Sequence, residues 1–255
     1  MGLKKNHVRI ETTDGQIHTM VHSPSGTPKL VIVFSHGFTV PGFESRRMFL
    51  DLADRSVQLG MTAVLFDYRG SGYSDKRFEE MTINTEIADL HRILDFTMTD
   101  VAQNAPVVLW GMSLGTAVAA AVAAERQKDL RAVLFWCVST HLYERFSSRY
   151  DQKLLASGKL FLPSGFLVTP QLIDAMKDVD TLESIGALQV PKLFVTGLAD
   201  DQTPVELTRE AFEKSREPKD MFLIPGGNHG FKGQPELFEE ATGYSLAWLQ
   251  RVTST

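Results

Sequence analysis

The sequence predicts an α/β fold in which a mostly parallel β-sheet lies between two layers of helices. Short apolar runs alternate along the chain with segments that have helical periodicity. Several of these runs are continuously apolar, which is typical of strands buried on both faces of a parallel sheet. The length of 255 residues suits one such domain with an insertion.

The predicted elements follow each other in a regular order. The chain begins with a hairpin, because residues 8–12 and 17–22 flank the turn signal Asp14-Gly15. The buried strands that follow are residues 30–34, 62–66, 107–110, 132–136, 193–196 and 221–224. Helical patterns lie between and after them, at residues 45–59, 83–99, 114–125, 205–215 and 236–251.

Residues 138–190 interrupt this alternation. They contain the stretch KLFLPSGFLVT, whose two apolar runs around a Pro-Ser-Gly turn predict a small hairpin. The stretch PQLIDAMKDVDTLESIG that follows has a helical pattern, with Pro170 near its start. Because long excursions from a compact domain are often lids or binding elements, we predict a core made of residues 1–137 and 191–255, with a cap inserted at 138–190.

Charge and composition exclude several classes of protein. A net charge of −5 gives no electrostatic reason to expect nucleic acid or an anionic membrane surface as a partner. The one cysteine, Cys137, precludes an intrachain disulfide and favours a reducing compartment. The N-terminal lysines precede no apolar segment of the kind a signal peptide needs, and the apolar run 117–124 is too short to span a bilayer. We therefore predict a cytoplasmic protein without a membrane span, either a monomer or a homodimer.

The stretch GMSLG lies between a predicted buried strand and a predicted helix. In it, Ser113 is flanked by Gly111 and Gly115, each two residues away. A serine on a tight strand-to-helix turn has a strained backbone, and the close approach of strand and helix leaves no room for side chains at these two positions. Ser113 is therefore either the N-cap of the helix or a nucleophile held on such a turn.

A serine hydroxyl is a weak nucleophile and needs a nearby base, which an acid in turn orients. Among seven histidines, His229 is the best candidate base, because it follows the last predicted strand in a glycine-rich loop. The candidate acids are Asp200 and Asp201, which both follow the predicted strand 193–196. Both are also ordinary turn or N-cap residues, and the spacing from Gly197 favours Asp200.

An acyl-transfer site also needs hydrogen-bond donors for the oxyanion that develops in the transition state. The backbone N–H of Leu114, the residue after Ser113, is one candidate, and the start of its helix adds a favourable dipole. The loop SHGFTVPG after the predicted strand 30–34 offers a second donor, the N–H of Phe38. The alternative interpretation of that loop is a simple glycine turn.

The motifs SHGF, FDYRGSGYSD, GMSLG, GLADDQTP and GGNHGF resemble, in order and spacing, those of the α/β-hydrolase superfamily. Within it, the sequence is most similar to the small bacterial serine esterases that include cinnamoyl (feruloyl) esterases. The resemblance implies a sheet of about eight strands with a cap inserted before strand 193–196. It also implies that Ser113 is the nucleophile, His229 the base and Asp200 the acid, and that the N–H groups of Phe38 and Leu114 bind the oxyanion.

Together these residues predict a carboxylesterase that forms an acyl-enzyme and needs neither a metal nor a cofactor. The substrate is expected to be a small-molecule ester with an apolar acyl or aryl group, because the insertion is rich in apolar residues. The expected substrate contacts are Met112, which stands where the family usually has histidine, and Tyr143, Phe161 and Phe166 of the insertion. A thioesterase or acyltransferase with the same triad, or a non-catalytic binding protein on the same scaffold, are the alternatives.

Overall fold

The computed structural model describes residues 3–253 of the chain. The strands are β1 (Lys4–Thr12), β2 (Gly15–Ser23), β3 (Val31–Ser35), β4 (Thr62–Phe66), β5 (Val107–Met112), β6 (Ala132–Trp136), β7 (Leu160–Phe161), β8 (Leu167–Val168), β9 (Lys192–Gly197) and β10 (Lys219–Ile224). The helices are α1 (Met48–Gln58), α2 (Ile83–Phe96), α3 (Leu114–Glu125), α4 (Leu142–Arg149), α5 (Gln152–Ala156), α6 (Pro170–Ala175), α7 (Thr181–Ala187), α8 (Val205–Lys214) and α9 (Pro235–Thr253). None of the helices within residues 3–253 combines the length and the apolar character needed to cross a bilayer.

Eight of the described strands form one sheet, in the order β1-β2-β4-β3-β5-β6-β9-β10. The predicted hairpin pairs β1 with β2 from Lys4 opposite Ser23 to Thr12 opposite Gly15, and β2 is antiparallel to β4. From β4 to β10 every neighbouring pair is parallel. The predicted mostly parallel sheet of about eight strands is thereby confirmed.

The sheet separates two hydrophobic clusters, so its central strands are buried along their whole length. In β3, Val31 and Val33 belong to one cluster and Ile32 and Phe34 to the other, because successive side chains point to opposite faces of a sheet. Helices α2, α3, α7 and α8 contribute to the first cluster, and α1 and α9 to the second. The fold is therefore a three-layer sandwich of helices, sheet and helices.

Residues 138–190 connect β6 to β9. The predicted hairpin is present as the β7–β8 pair, in which Leu160 lies opposite Val168 and Phe161 opposite Leu167. The structure adds α4 and α5 before this pair, which the apolar pattern did not indicate.

The helical pattern predicted after the hairpin forms two helices rather than one. Helix α6 ends at Ala175, and α7 begins only at Thr181. The break arises because Asp180 is extended and its carboxylate accepts the Glu183 N–H at 3.0 Å, which starts a new helix. Helix α7 packs against α3 and α8, so this end of the insertion belongs to the helical layer over the sheet.

Aromatic contacts join the insertion to the loops at the carboxyl ends of the strands. The ring centroid of Phe38, which follows β3, lies 5.3 Å from that of Phe146 in α4. The ring of Phe78, in the loop after β4, lies 4.4 Å from that of Phe166 beside β8 and 5.4 Å from that of Phe38. The insertion therefore lies against the edge of the sheet at which the parallel strands end.

Candidate active site

Residues that follow four different strands meet around one cavity of about 350 Å³ at this edge of the sheet. Phe38 follows β3, Ser113 and Leu114 follow β5, Thr203 follows β9 and His229 follows β10. The insertion supplies further walls, namely Ser139, Arg145, Phe146, Arg149, Tyr150 and Leu162. The volume is within the range of small-molecule sites, and the position is the one at which ligands of open parallel sheets bind.

Ser113 occupies the strained strand-to-helix turn that its sequence context predicts. Its backbone angles are φ 54° and ψ −123°, a combination that residues with a side chain rarely adopt. Strand β5 ends at Met112 and α3 begins at Leu114, so the turn consists of this one residue. The Ser113 N–H donates to the carbonyl of Trp136 at 3.0 Å, which ties the turn to β6.

Gly111 and Gly115 provide the clearance that this turn needs. A Cβ atom on Gly115 would lie 2.2 Å from the carbonyl oxygen of Ser35 and 2.4 Å from that of His36. A Cβ atom on Gly111 would lie 2.6 Å from the carbonyl oxygen of Gly115. Because these obstacles are backbone atoms, no side-chain rearrangement relieves the overlap.

Asp200, and not Asp201, lies against His229. The Oδ2 atom of Asp200 is 2.8 Å from Nδ1 of His229, whereas Asp201 is exposed and makes no hydrogen bond to this ring within residues 3–253. Because an ionised carboxylate only accepts hydrogen bonds, Nδ1 of His229 is the donor. The other ring nitrogen, Nε2, is then free of its proton when the imidazole is neutral.

The surroundings of Asp200 hold it in the ionised form. Burial alone raises the pKa of this carboxyl, but the hydrogen bond and charge of His229 and the hydrogen bonds from Thr203 bring the pKa below its ordinary value. The N–H groups of Gln202 and Thr203 donate to Oδ1 at 2.9 and 2.8 Å, and the Thr203 hydroxyl donates to Oδ2 at 2.9 Å. A carboxylate with this many donors is fixed in orientation as well as in charge.

Ser113 and His229 line the same cavity but make no hydrogen bond to each other in this structure of residues 3–253. Hydrogen bonds between catalytic groups are often long or poorly aligned before a substrate binds. The structure therefore brings the serine, the histidine and the aspartate to one site, with the histidine–aspartate contact formed.

The two predicted oxyanion donors lie on adjoining segments of this cavity. Leu114 is the first residue of α3, so its N–H has no partner inside the helix. Phe38 lies on the loop after β3, which approaches the turn so closely that a Cβ atom on Gly37 would be 3.3 Å from Cβ of Ser113. Both N–H groups are thus carried by segments that border the serine.

His36 supports the loop after β3 from inside the protein. Burial lowers its pKa to about 4, so the ring is neutral near pH 7. Its Nε2 accepts the N–H of Tyr68 at 3.2 Å, and its Nδ1 therefore donates to the carbonyl of Gly37 at 2.9 Å. This residue fixes the loop geometry and does not line the cavity.

Glu44 is a residue of the site that the sequence did not single out. Only 5% of it is exposed, and it lines the cavity together with Ser113 and His229. Its Oε2 accepts the N–H of Gly37 at 2.7 Å and its Oε1 accepts the N–H of Ser45 at 3.2 Å. Its backbone angles, φ 60° and ψ 175°, belong to a region that is almost reserved for glycine. No motif or spacing distinguishes Glu44 from exposed glutamates, so only the folded loop reveals it.

Burial raises the pKa of Glu44 to about 7, although the hydrogen bonds from Gly37 and Ser45 and the charge of His229 lower it. The cavity therefore contains a carboxyl group that titrates near neutral pH. Groups of this kind cluster at functional sites because catalysis depends on tuned protonation states.

The four predicted substrate contacts are not among the residues that line this cavity, and their contact with a substrate stays a prediction. Met112 is buried in the cluster on the other side of the sheet, because it precedes the turn and points away from it. Tyr143 lines a separate cavity of about 270 Å³, where Nζ of Lys177 lies 4.4 Å from its ring centroid. Phe161 is 62% exposed on β7. Phe166 packs against Phe78 and so fastens the hairpin to the core.

One group of potential metal ligands exists within residues 3–253, and it includes the candidate acid and base. Ligand atoms of Cys137, Asp200 and His229 lie within 4.8 Å of one another. Burial raises the pKa of the Cys137 thiol well above its ordinary value, which disfavours the thiolate that binds metals. Asp200 and His229 are also already bonded to each other. The donor set therefore fits a hydrogen-bonded pair better than a metal.

A sheet of this strand order, with a strained serine turn after its central strand, defines an α/β-hydrolase. A family model described as serine aminopeptidase, S33, matches residues 26–154, which are 129 of the 255 residues. The chain belongs to this family.

Curated relatives match most of the chain. The uncharacterized protein YqkD of Bacillus subtilis is 25% identical over 215 residues, which cover 81% of this chain and 67% of that protein. An uncharacterized protein of Mycobacterium tuberculosis is 28% identical over 194 residues, which cover 76% of this chain and 61% of that protein. The chain therefore spans about two thirds or less of the length of these relatives.

Solved structures share the fold over almost the whole chain. Est1E from Butyrivibrio proteoclasticus with bound ferulic acid superposes with a TM-score of 0.84 at 17% identity, covering 95% of this chain and 99% of that chain. The Pyrococcus furiosus esterase Pf2001 has a TM-score of 0.73 at 18% identity, covering 98% of this chain and 93% of that chain. The resemblance to α/β-hydrolase esterases seen in the sequence is thereby confirmed at the level of the fold.

We expect the Gly115→Ala substitution to lower the free energy of unfolding by more than about 3 kcal/mol, because the new methyl group overlaps backbone oxygens. Gly243→Ala in α9 is the matched control, since no atom lies within 4 Å of its added Cβ. This control is expected to leave stability unchanged or to raise it by up to about 1 kcal/mol. Urea unfolding followed by circular dichroism measures both, and equal stability of the two variants would contradict the account of the turn.

The pKa of Glu44 makes stability depend on pH. Between pH 4.5 and about 7 the unfolded state loses this proton while the folded state keeps it, so this carboxyl makes folding less favourable as the pH rises. The free energy of unfolding of Glu44→Gln relative to the wild type is therefore expected to increase by about 3 kcal/mol from pH 4 to pH 8. Glu213→Gln, on the exposed face of α8, is the control. A pH-independent difference for Glu44→Gln would refute the titration near 7.

Proposed function

We propose that this protein is a serine hydrolase that cleaves carboxylic esters through an acyl-enzyme. The contact between Asp200 and His229, on the cavity that also holds Ser113 on its strained turn, is the observation that carries the proposal. A nucleophile, a base and an orienting carboxylate that converge on one cavity are the components that acyl transfer requires.

In the first half-reaction, the hydroxyl oxygen of Ser113 attacks the carbonyl carbon of the ester. Nε2 of His229 accepts the hydroxyl proton, and the imidazolium that forms is stabilised by the carboxylate of Asp200. The carbonyl π electrons move to the oxygen, giving a tetrahedral oxyanion. Its collapse breaks the bond to the alcohol, which leaves with the proton from His229 and gives the acyl-enzyme.

The N–H groups of Phe38 and Leu114 are proposed to bind the oxyanion. A single donor of this kind contributes about 3–4 kcal/mol to stabilisation of the transition state. His36 and Glu44 act indirectly on the Phe38 donor, because both are hydrogen-bonded to Gly37, the residue before Phe38. They are positioning residues for the loop after β3.

In the second half-reaction, a water molecule replaces the alcohol. His229 removes its proton as it attacks the acyl carbon, and the same donors stabilise the second oxyanion. Collapse of this intermediate returns the proton to Ser113 and releases the acid. Residues 138–190 are proposed to act as a cap, since six of them line the cavity.

The esterase neighbours favour an ester substrate over a peptide. An aminopeptidase must bind the positively charged amino terminus of its substrate, and the cavity presents cationic side chains to that group. A thioesterase or an acyltransferase would use the same three residues. Acyl transfer to added alcohols and the relative rates on thioesters and oxygen esters separate these activities.

Covalent labelling tests whether Ser113 is the nucleophile. Fluorophosphonates react with activated serines, so the wild type is expected to take up one equivalent and Ser113→Ala none. Ser45→Ala is the matched control, because Ser45 also lines the cavity and its variant should still be labelled. Intact-mass spectrometry gives the stoichiometry of labelling, and a folded wild-type protein that fails to react would refute the proposal.

The neighbouring aspartates provide a second test. Asp200→Asn leaves the size of the side chain unchanged but removes the charge that orients and stabilises His229, so kcat on p-nitrophenyl butyrate is expected to fall by roughly 10⁴-fold. Asp201→Asn, one residue away and exposed, should change kcat by less than about 3-fold. Equal losses in both variants would show that Asp200 is not the orienting acid.

A further inference from the structure

Three cationic side chains line the cavity that holds Ser113. Arg145 and Arg149 lie one turn apart on α4, so they share a face of that helix. Lys232 comes from the loop after β10, three residues after His229. The chain as a whole carries a net charge of −5, so this local excess of positive charge runs against the overall balance.

None of these three side chains forms an ion pair with a carboxylate within residues 3–253, although the charge of Asp200 acts on Arg145 from a longer distance. Arg145 donates only to neutral acceptors: the hydroxyl of Ser139 at 3.0 Å, the carbonyl of Thr140 at 3.3 Å and the carbonyl of Gln202. The guanidinium carbon of Arg149 lies 5.9 Å from the ring centroid of Phe146. Lys232 makes no ion pair in the described part of the chain.

Two other partly buried arginines of this protein have carboxylate partners. Arg69 contacts the carboxylates of Asp14 and Asp89, and Arg126 contacts those of Asp95 and Asp129. Burying a cation without a counter-charge is costly. Arg145 is half-buried without such an ion pair, and it borders the candidate reaction site.

The charge of Arg149 disfavours the charged form of Arg145. Burial, and then the positive charge of Arg149, lower the pKa of Arg145 from its ordinary value, and the charge of Asp200 opposes this effect only in part. An anion bound beside Arg145 would add a counter-charge and favour its charged form.

Glu44 does not supply the missing charge. It is the one carboxyl group among the described residues that line the cavity, and its two oxygens accept N–H groups of the loop after β3. The carboxyl group of Glu44 is therefore already hydrogen-bonded to the loop. The three cations have no carboxylate partner among the described residues that line the cavity.

We propose that the substrate is an anionic ester, whose carboxylate is bound by Arg145, Arg149 and Lys232 while its ester group lies at Ser113. This inference rests on the proposed function, because it identifies the substrate class of the same site. Guanidinium groups bind planar carboxylates through charge-assisted, often bidentate hydrogen bonds. Phe38, Phe146 and Leu162 offer apolar surface for the chain or ring that joins the two groups. The substrate class is therefore a half-ester of a dicarboxylic acid, or a hydroxy acid that is esterified at its hydroxyl group. Both keep one free carboxylate.

Two matched pairs of esters test this proposal. p-Nitrophenyl hydrogen adipate and p-nitrophenyl hexanoate differ by a carboxylate on the acyl side, and p-acetoxybenzoate and its methyl ester differ by one on the alcohol side. For the wild type, kcat/KM, normalised to the hydroxide-catalysed rate of each ester, is expected to be at least about 10-fold higher for the charged member of one pair. The preference should shrink at high ionic strength, since salt screens the attraction.

Substitutions of the cationic residues test whether these residues cause the preference for the charged ester. Arg149→Gln and Lys232→Gln are each expected to reduce the charged-to-neutral ratio of kcat/KM by at least about 3-fold, through KM more than kcat. Lys153→Gln is the matched control, because Lys153 is exposed on α5 and does not line the cavity. Arg145→Gln is compared by circular dichroism first, since Arg145 also holds the loops at Ser139 and Gln202.

The outcomes separate this inference from the proposed function. Equal normalised rates for both members of each pair, or a preference that Arg149→Gln and Lys232→Gln leave intact, overturn the anionic substrate while hydrolysis stands. If no ester is cleaved, calorimetric binding of p-acetoxybenzoate and its methyl ester to Ser113→Ala decides the matter. Tighter binding of the anion, weakened by Arg149→Gln, supports the inference without the hydrolase, and equal binding refutes it.

Discussion

The contact between Gly115 and the carbonyl oxygens of Ser35 and His36 holds the candidate site together. It brings the first turn of α3 directly against the end of β3, with no side chain between them. As a result, Phe38 on one segment and Leu114 on the other border Ser113. The Ser35 hydroxyl donates to the Gly115 carbonyl at 2.8 Å and fixes the same contact. The strain at Ser113 is tolerated because the turn is held from both sides, by β3 through this contact and by β6 through Trp136.

Two carboxyl groups near this contact have opposite electrostatic surroundings. Asp200 receives donors from Gln202, Thr203 and His229, so its pKa lies below the ordinary value. Glu44 is buried with two backbone donors, so the effect of burial prevails and its pKa is about 7. Environments that separate the pKa values of nearby acids are a recurrent feature of sites that move protons. Here the separation follows mainly from His229, which hydrogen-bonds to Asp200 and not to Glu44.

The sequence predicted the parts of this site that depend on strand ends. Ser113, His229 and Phe38 each follow an apolar run, and parallel strands bring such residues to one edge of the sheet. The same reasoning favoured Asp200 over Asp201 only by its spacing from Gly197, because both follow β9 and only the folded turn directs one of them towards His229. Glu44 escaped prediction because its burial comes from the fold of a loop with positive φ angles. The predicted substrate contacts do not line the cavity, because apolar character alone does not distinguish Phe166, which packs on the core, from a residue that faces the cavity.

The buried position of Cys137 makes local opening of the fold measurable. It is the one cysteine of the chain, it is fully buried after β6, and its sulfur lies within 4.8 Å of ligand atoms of Asp200 and His229. An alkylating reagent reaches this sulfur only when the loops after β6, β9 and β10 separate. The rate at which this single native thiol is alkylated therefore measures local opening at the edge of the sheet where the candidate site lies.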